Sequence, residues 1–153
     1  MTDRPSGTAY LLSQLGILSA SRFGALLEPL GLTPPQAGVL RLLAREGGIS
    51  QRALAARLGT APSRVVVLVD ALEAKGLVTR QRSETDRRNH ELHLTPAGTA
   101  MMRRLGRVAG AHEADVLEGL TAAERSALRG LLGKLADAHD LDPQVHPGYR
   151  ARP

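Results

Sequence analysis

Apolar residues recur at helical spacing over most of this chain. Between residues 9 and 30, Leu11, Leu12, Leu15, Ile17, Leu18, Phe23, Leu26, Leu27 and Leu30 occupy more than one helical face. Such a helix is either threaded through a core or partly buried against a second subunit. The second arrangement is favoured, because one folded body rarely covers that much apolar surface. Pro29 and Gly31 end the segment. Thr33-Pro34-Pro35-Gln36 then reads as a helix start, with Thr33 as N-cap, Pro34 at the first helical position and Gln36 placed to reach back. Gly47 and Gly48 stop that helix. Ser50 is placed to cap a short helix that buries Leu54 and Leu58 at i, i+4 and breaks at Gly59. Thr60 is the expected N-cap of the next one, where Val65, Leu68, Val69 and Leu72 recur at i, i+3, i+4 and i+7 before Gly76.

Residues 77–82 and 89–94 show partial alternation around the polar run 83–88, which predicts a β-hairpin with a long tip. Thr95-Pro96 opens a helix expected to reach about Gly119 despite Gly98, Gly106 and Gly110. Thr121-Ala122-Ala123-Glu124 is a capping box ahead of the stripe Leu128, Leu131, Leu132 and Leu135, which ends near His139. The ends, 1–8 and 142–153, are aperiodic and expected to be loose, flexible tails. The predicted fold is therefore mainly α: residues 33–95 form a winged helix-turn-helix with a two-stranded β wing, flanked by the helical stretches 9–30 and 96–140.

A length of 153 residues fits one domain, and 42% hydrophobic residues supply a core that needs no disulfide or metal. Cysteine is absent, which excludes thiolate nucleophiles, Cys-zinc sites and cysteine redox sensing. No apolar run approaches the roughly 20 residues that span a bilayer, and the start lacks the apolar segment of a secretory signal, so no membrane association and a cytoplasmic location are expected. The net charge of +5 is unevenly spread. Residues 1–107 hold 15 basic and 8 acidic groups, whereas 108–142 hold 3 and 7. Eighteen of the 20 basic residues are Arg. That excess suits contacts to phosphate and base edges, and a codon bias toward Arg and Ala would produce it equally. A basic body with an acidic helical end fits a nucleic-acid binder that has a separate association region.

Two short helices joined at Gly59, the second followed directly by a hairpin, place the chemistry. The first helix braces the second, whose outer face can enter a major groove. Arginines at the hairpin tip can reach the neighbouring minor groove, whose negative potential attracts them. Arg87 and Arg88 in the tip, with Arg80 and Arg82 on the incoming strand, are the phosphate and minor-groove candidates. No G-x-S-x-G elbow, P-loop, G-x-G-x-x-G or H-x-x-x-H pattern occurs, so no catalytic set, metal site or cofactor is expected and the chain does not read as an enzyme.

Four segments together resemble the MarR family of bacterial transcription regulators: residues 50–58, the run Leu68-Val69-Asp70-Ala71-Leu72-Glu73-Ala74-Lys75-Gly76-Leu77-Val78-Thr79-Arg80, Asp86-Arg87-Arg88, and Leu94-Thr95-Pro96-Ala97-Gly98. The resemblance covers about 9–139. It implies that Arg88 enters the minor groove while Asp86 orients the wing. It also implies a homodimer joined by N- and C-terminal dimerisation helices, residues 9–30 with 96–140, around a DNA-binding region at 33–95, bound to a pseudo-palindromic operator on double-stranded DNA and most often acting as a repressor. A small, often aromatic or phenolic effector would bind between the dimer helices and the DNA-reading lobe and release it. Ser13, Arg22 and Arg41 are candidates to orient such a ligand, but no ligand site is assigned.

The reading helix departs from the family pattern, which often has Thr-Arg where this chain has Val66-Val67. At 100° per residue the outward face is centred on Ser63, Val67, Asp70 and Ala74, with Arg64 on its flank. Direct readout then rests on Ser63 and Arg64, with Val67 either packing on a thymine methyl or buried by a neighbour away from DNA. The same two valines motivate the alternative of a dimeric winged-helix interaction protein with weak or no sequence-specific DNA binding.

Overall fold

The computed structural model describes residues 7–86, 88–145 and 149. In chain order these form α1 (Thr8–Leu27), a 3-10 turn (Glu28–Leu30), α2 (Pro34–Arg45), β1 (Ile49–Ser50), α3 (Gln51–Leu58), α4 (Pro62–Ala74), β2 (Val78–Arg82), β3 (His90–Leu94), α5 (Pro96–Val116) and α6 (Ala122–Ala138). Local capping chemistry sets most of the boundaries. Thr33 and Gln36 exchange the two hydrogen bonds of a capping box, as do Thr121 and Glu124. The Ser50 hydroxyl accepts from the Ala53 N–H at 3.1 Å, and Gly59 closes α3 in the left-handed conformation.

The sheet is antiparallel in the order β1-β3-β2, with Arg80 opposite Leu92 and Ile49 also opposite Leu92. The expected two-stranded wing thus gains a third, two-residue strand. Nothing in two residues signals a strand locally; Ile49 and Ser50 pair because the chain arrives beside β3. A second departure lies at α4. Its N-cap is Ala61, not Thr60, and no side chain caps it.

The core lies within the winged lobe, where Val39, Leu40, Leu54, Val65, Val69, Leu72 and Leu92 are fully buried. Leu27 from the end of α1 and Leu105 from α5 close it from the helical side. α5 runs unbroken through its three glycines. Gly98 has a steric reason to be there: a Cβ would sit 2.1 Å from the Leu77 carbonyl oxygen, so only glycine lets α5 start against the β2 entry. Thr95 fixes the same junction, its hydroxyl donating to the Gly76 carbonyl at 2.6 Å.

α1 and α6 are different. α1 buries Leu27 alone, and α6 buries no residue. Tyr10, Leu11, Leu12, Leu15, Ile17 and Leu18 on the first helix and Leu131, Leu132 and Leu135 on the last are exposed, Ile17 at 71% and Leu131 at 60%. The end expected to be loose also departs from a free tail. Val145 packs against the core and Tyr149 is buried within it, because this segment carries an apolar and an aromatic side chain that find a seat on the lobe. No helix among the described residues is long and apolar enough to cross a membrane.

Candidate nucleic-acid interface

The inward stripe of α4 is Val65, Val69 and Leu72, all fully buried, with Leu68 half-buried. Helical geometry then turns Ser63, Arg64, Val67, Asp70 and Ala74 outward, and each is exposed. Val67 is 68% exposed and Val66 39%, so no neighbour among the described residues buries Val67. An apolar side chain therefore stands in water in the middle of the outward face.

Arg80 does not stand free as a phosphate contact. Its Nε donates to Gln51 Oε1 at 2.6 Å, and its two terminal nitrogens donate to the carboxylates of Asp70 and Glu73. The side chain is only 22% exposed. One planar guanidinium therefore ties the first turn of α3, the outer face of α4 and strand β2 into one unit. Asp70 and Glu73 stand three residues apart on one helical face, which is the signal that could have foretold this; Gln51 carries none. The pairing also neutralises carboxylates that would otherwise repel a phosphate backbone.

Arg82 ends β2 and is exposed, as is Arg88 in the tip. Arg87 lies outside the described residues. Asp86 holds the tip together: one carboxylate oxygen accepts from the Arg88 N–H at 3.0 Å and the other from the Asn89 side chain at 2.9 Å. Buried Ser83 adds a second tie, its hydroxyl accepting from the Asp86 N–H at 3.3 Å while its own N–H donates to the Asn89 carbonyl at 2.9 Å. Ser83 lies in the expected tip, whereas Asn89, expected to begin the second strand, belongs to the tip instead, because β3 starts at His90; the bonds these two residues make were not anticipated. Their short polar side chains in a polar run were the available cue.

A cavity of about 760 Å³ lies between α1, α2, α5 and the segment after α6, and its walls include Phe23, Ala37, Arg41, Arg45, Met102 and Leu105. That size suits a small organic molecule. Arg41 borders it and has no hydrogen-bond or ion-pair partner among the described residues, whereas Arg45 donates to Gln144 Oε1. Ser13 and Arg22 do not line it; Arg22 instead pairs with Asp115 at 2.7 Å. Beside the cavity, Ser19 Oγ and His112 Nε2 share a 3.0 Å hydrogen bond, and the His112 ring lies 5.3 Å from that of Phe23. No cluster of three metal-ligating side chains occurs among the described residues.

Residues 30–89 match the MarR family. A protein of Thauera aromatica whose name assigns it to regulation of the hcr operon is 40% identical over 105 residues, which span 69% of this chain and 63% of that protein. The HTH-type transcriptional repressor Rv2887 of Mycobacterium tuberculosis is 35% identical over 133 residues, covering 87% of this chain and 94% of the repressor. Among solved structures, the transcriptional repressor CouR bound to a 23-mer DNA duplex superposes with a TM-score of 0.74 at 35% identity, over 85% of this chain and 92% of that one. Rv2887 in complex with salicylic acid superposes with a TM-score of 0.69 at 32% identity, over 86% and 98%. Rv2887 has also been solved in complex with DNA.

Proposed function

The chain belongs to the MarR family, and on that premise we propose that it is a homodimeric transcriptional repressor, released from its operator by a small aromatic effector. One observation carries the reading: Arg80 fastens the outward face of α4 to the wing strand, so that helix and wing move as a single probe. Two such probes, one per protomer, would enter successive major-groove faces roughly 34 Å apart. Ser63, Arg64 and Val67 read bases, Arg82, Arg87 and Arg88 serve phosphates and the minor groove, and Asp86 orients the tip. Arg80 positions the others and takes no phosphate.

The uncovered apolar faces of α1 and α6 support pairing through residues 9–30 and 96–140. Within that arrangement, residues 33–95 read DNA. The effector reading draws on the salicylic acid complex of Rv2887 and on a cavity of suitable volume with Arg41 at its wall, a cation matched to an aromatic carboxylate. By linkage, an effector that prefers a dimer geometry with misplaced probes lowers DNA affinity to the same degree that DNA lowers its own.

The exposure of Val66 and Val67 also favours the second reading, an interaction protein without sequence-specific binding. Selection of duplexes from a random pool by the purified full-length protein separates the two. A regulator enriches one pseudo-palindrome, binds it at least about 10³-fold more tightly than random duplex, and loses affinity steeply with salt. Enrichment of no sequence would overturn the regulator.

A further inference from the structure

The β2–β3 hairpin has two faces, and the strand register shows which one looks toward the DNA-reading helix. Val78 pairs with Leu94, Arg80 with Leu92 and Arg82 with His90, whereas Thr79 with His93 and Gln81 with Glu91 form the other set. Side chains directly opposite in an antiparallel pair share a face. Val78 and Leu92 are buried, so the first set turns inward, and Arg80 within it reaches Asp70 and Glu73 on α4. Arg82 and His90 are the last pair of that set. Two strand steps carry them about 7 Å beyond Arg80 toward the tip, and there both side chains are exposed. His90 thus stands on the side of the wing that continues the outward face of α4, between that helix and Arg88.

Neither the core nor the tip uses this ring. The His90 side chain has no hydrogen-bond or ion-pair partner among the described residues. From β2 it faces Arg82. In the tip, Asp86 is committed to the Arg88 N–H and the Asn89 side chain, while Glu84 and Arg88 are exposed. On α4, Arg80 holds both Asp70 and Glu73. Glu91 belongs to the opposite face, 3.5 Å from His93 Nε2, and β1 stops short of His90 because it pairs only with Glu91 and Leu92.

We propose that His90 is a proton-dependent DNA contact: its imidazolium, beside Arg82, takes a backbone phosphate between the major groove entered by α4 and the minor groove reached by Arg88. The contact rests on the proposed reading of helix and wing as one DNA probe. Histidine changes charge between about pH 5 and 8, so this ring can add or withdraw a cation while every arginine stays charged. Two adjacent cations repel in the free protein and are both satisfied once a phosphate lies between them. By linkage, a proton on the ring and DNA on the wing favour each other, and acid tightens the complex.

Equilibrium binding of the full-length protein to a duplex selected by the wild type, read across salt at about pH 6 and about pH 8, tests the contact. From the higher to the lower pH the wild type gains at least about threefold in affinity, and its slope of log K against log salt steepens by about 0.9 per protomer. His90→Gln shows neither change, with unchanged far-ultraviolet helicity. His90→Lys, charged throughout, keeps the steeper slope at both pH values, and His93→Gln on the opposite face responds as the wild type does. A His90→Gln profile that matches the wild type overturns the contact, as does a wild type with one affinity and one slope at both pH values. A wild type that selects no duplex defeats the DNA-binding reading beneath the proposal, whereas selection without any response at His90 defeats this contact alone.

Discussion

Arg80 and Arg88 have the same side chain and opposite circumstances, and the difference is measurable. Arg80 is committed to Gln51, Asp70 and Glu73, while Arg88 stands exposed on a tip whose backbone Asp86 holds. Arg80→Lys keeps the charge and loses the fork, since one ammonium cannot reproduce the fixed fan of donors that reaches three acceptors on two helices. That variant should melt a few degrees lower and bind operator more weakly with an unchanged salt slope. Arg88→Ala should melt as the parent does and lower the slope of log K against log salt by about one unit. If Arg80→Lys lowers the slope and Arg88→Ala does not, the two roles are reversed. At Val67 a thymine methyl contact predicts that Val67→Ala costs about 1 kcal/mol, roughly fivefold in Kd, at a T·A position and nothing at a G·C substitute. Binding assays on the two duplexes check this.

At the scale of elements, the caps were legible and the long-range contacts were not. Thr33, Ser50 and Thr121 announce their helices because the groups they satisfy lie three residues away. The third strand, the cap at Ala61, the seat of Tyr149 and the partners of Arg80 depend on segments that meet only in the fold. The outward face of α4 and the wing tip could be placed from periodicity, but the engagement of Arg80 could not. Gly98 illustrates both sides: as a helix-interior glycine it weakens the helix, and in the structure it is what admits the Leu77 carbonyl. Gly98→Ala should therefore lose about 2 kcal/mol or more in chemical denaturation, whereas Gly110→Ala, with nothing within 4 Å of its Cβ, should gain up to about 1 kcal/mol. Acid tests the capping box of α6. Hydrogen bonds from the Thr121 N–H and hydroxyl hold the Glu124 carboxyl below its ordinary value. Its contribution is complete above that ordinary pKa and disappears as pH falls through the lowered one. Amide exchange at residues 122–125 should accelerate there, and Glu124→Gln should remove the transition.

Over the whole molecule, the winged lobe is self-sufficient and the two outer helices are not. The lobe holds nearly all of the fully buried side chains, while α1 and α6 turn large apolar residues to water. Ile17→Glu with Leu131→Glu should convert a dimer to a monomer in sedimentation and abolish binding to a two-half-site duplex, with the lobe still folded by amide exchange. A doubly substituted protein that sediments as the parent does would move the interface elsewhere. If a second copy covers α1 and α6, integrity becomes a matter of abundance. A dilute population leaves both helices frayed and open to proteases, so scarce repressor is removed faster than plentiful repressor. Dose and lifetime then rise together, and the promoter it governs responds to falling supply more sharply than occupancy alone would dictate.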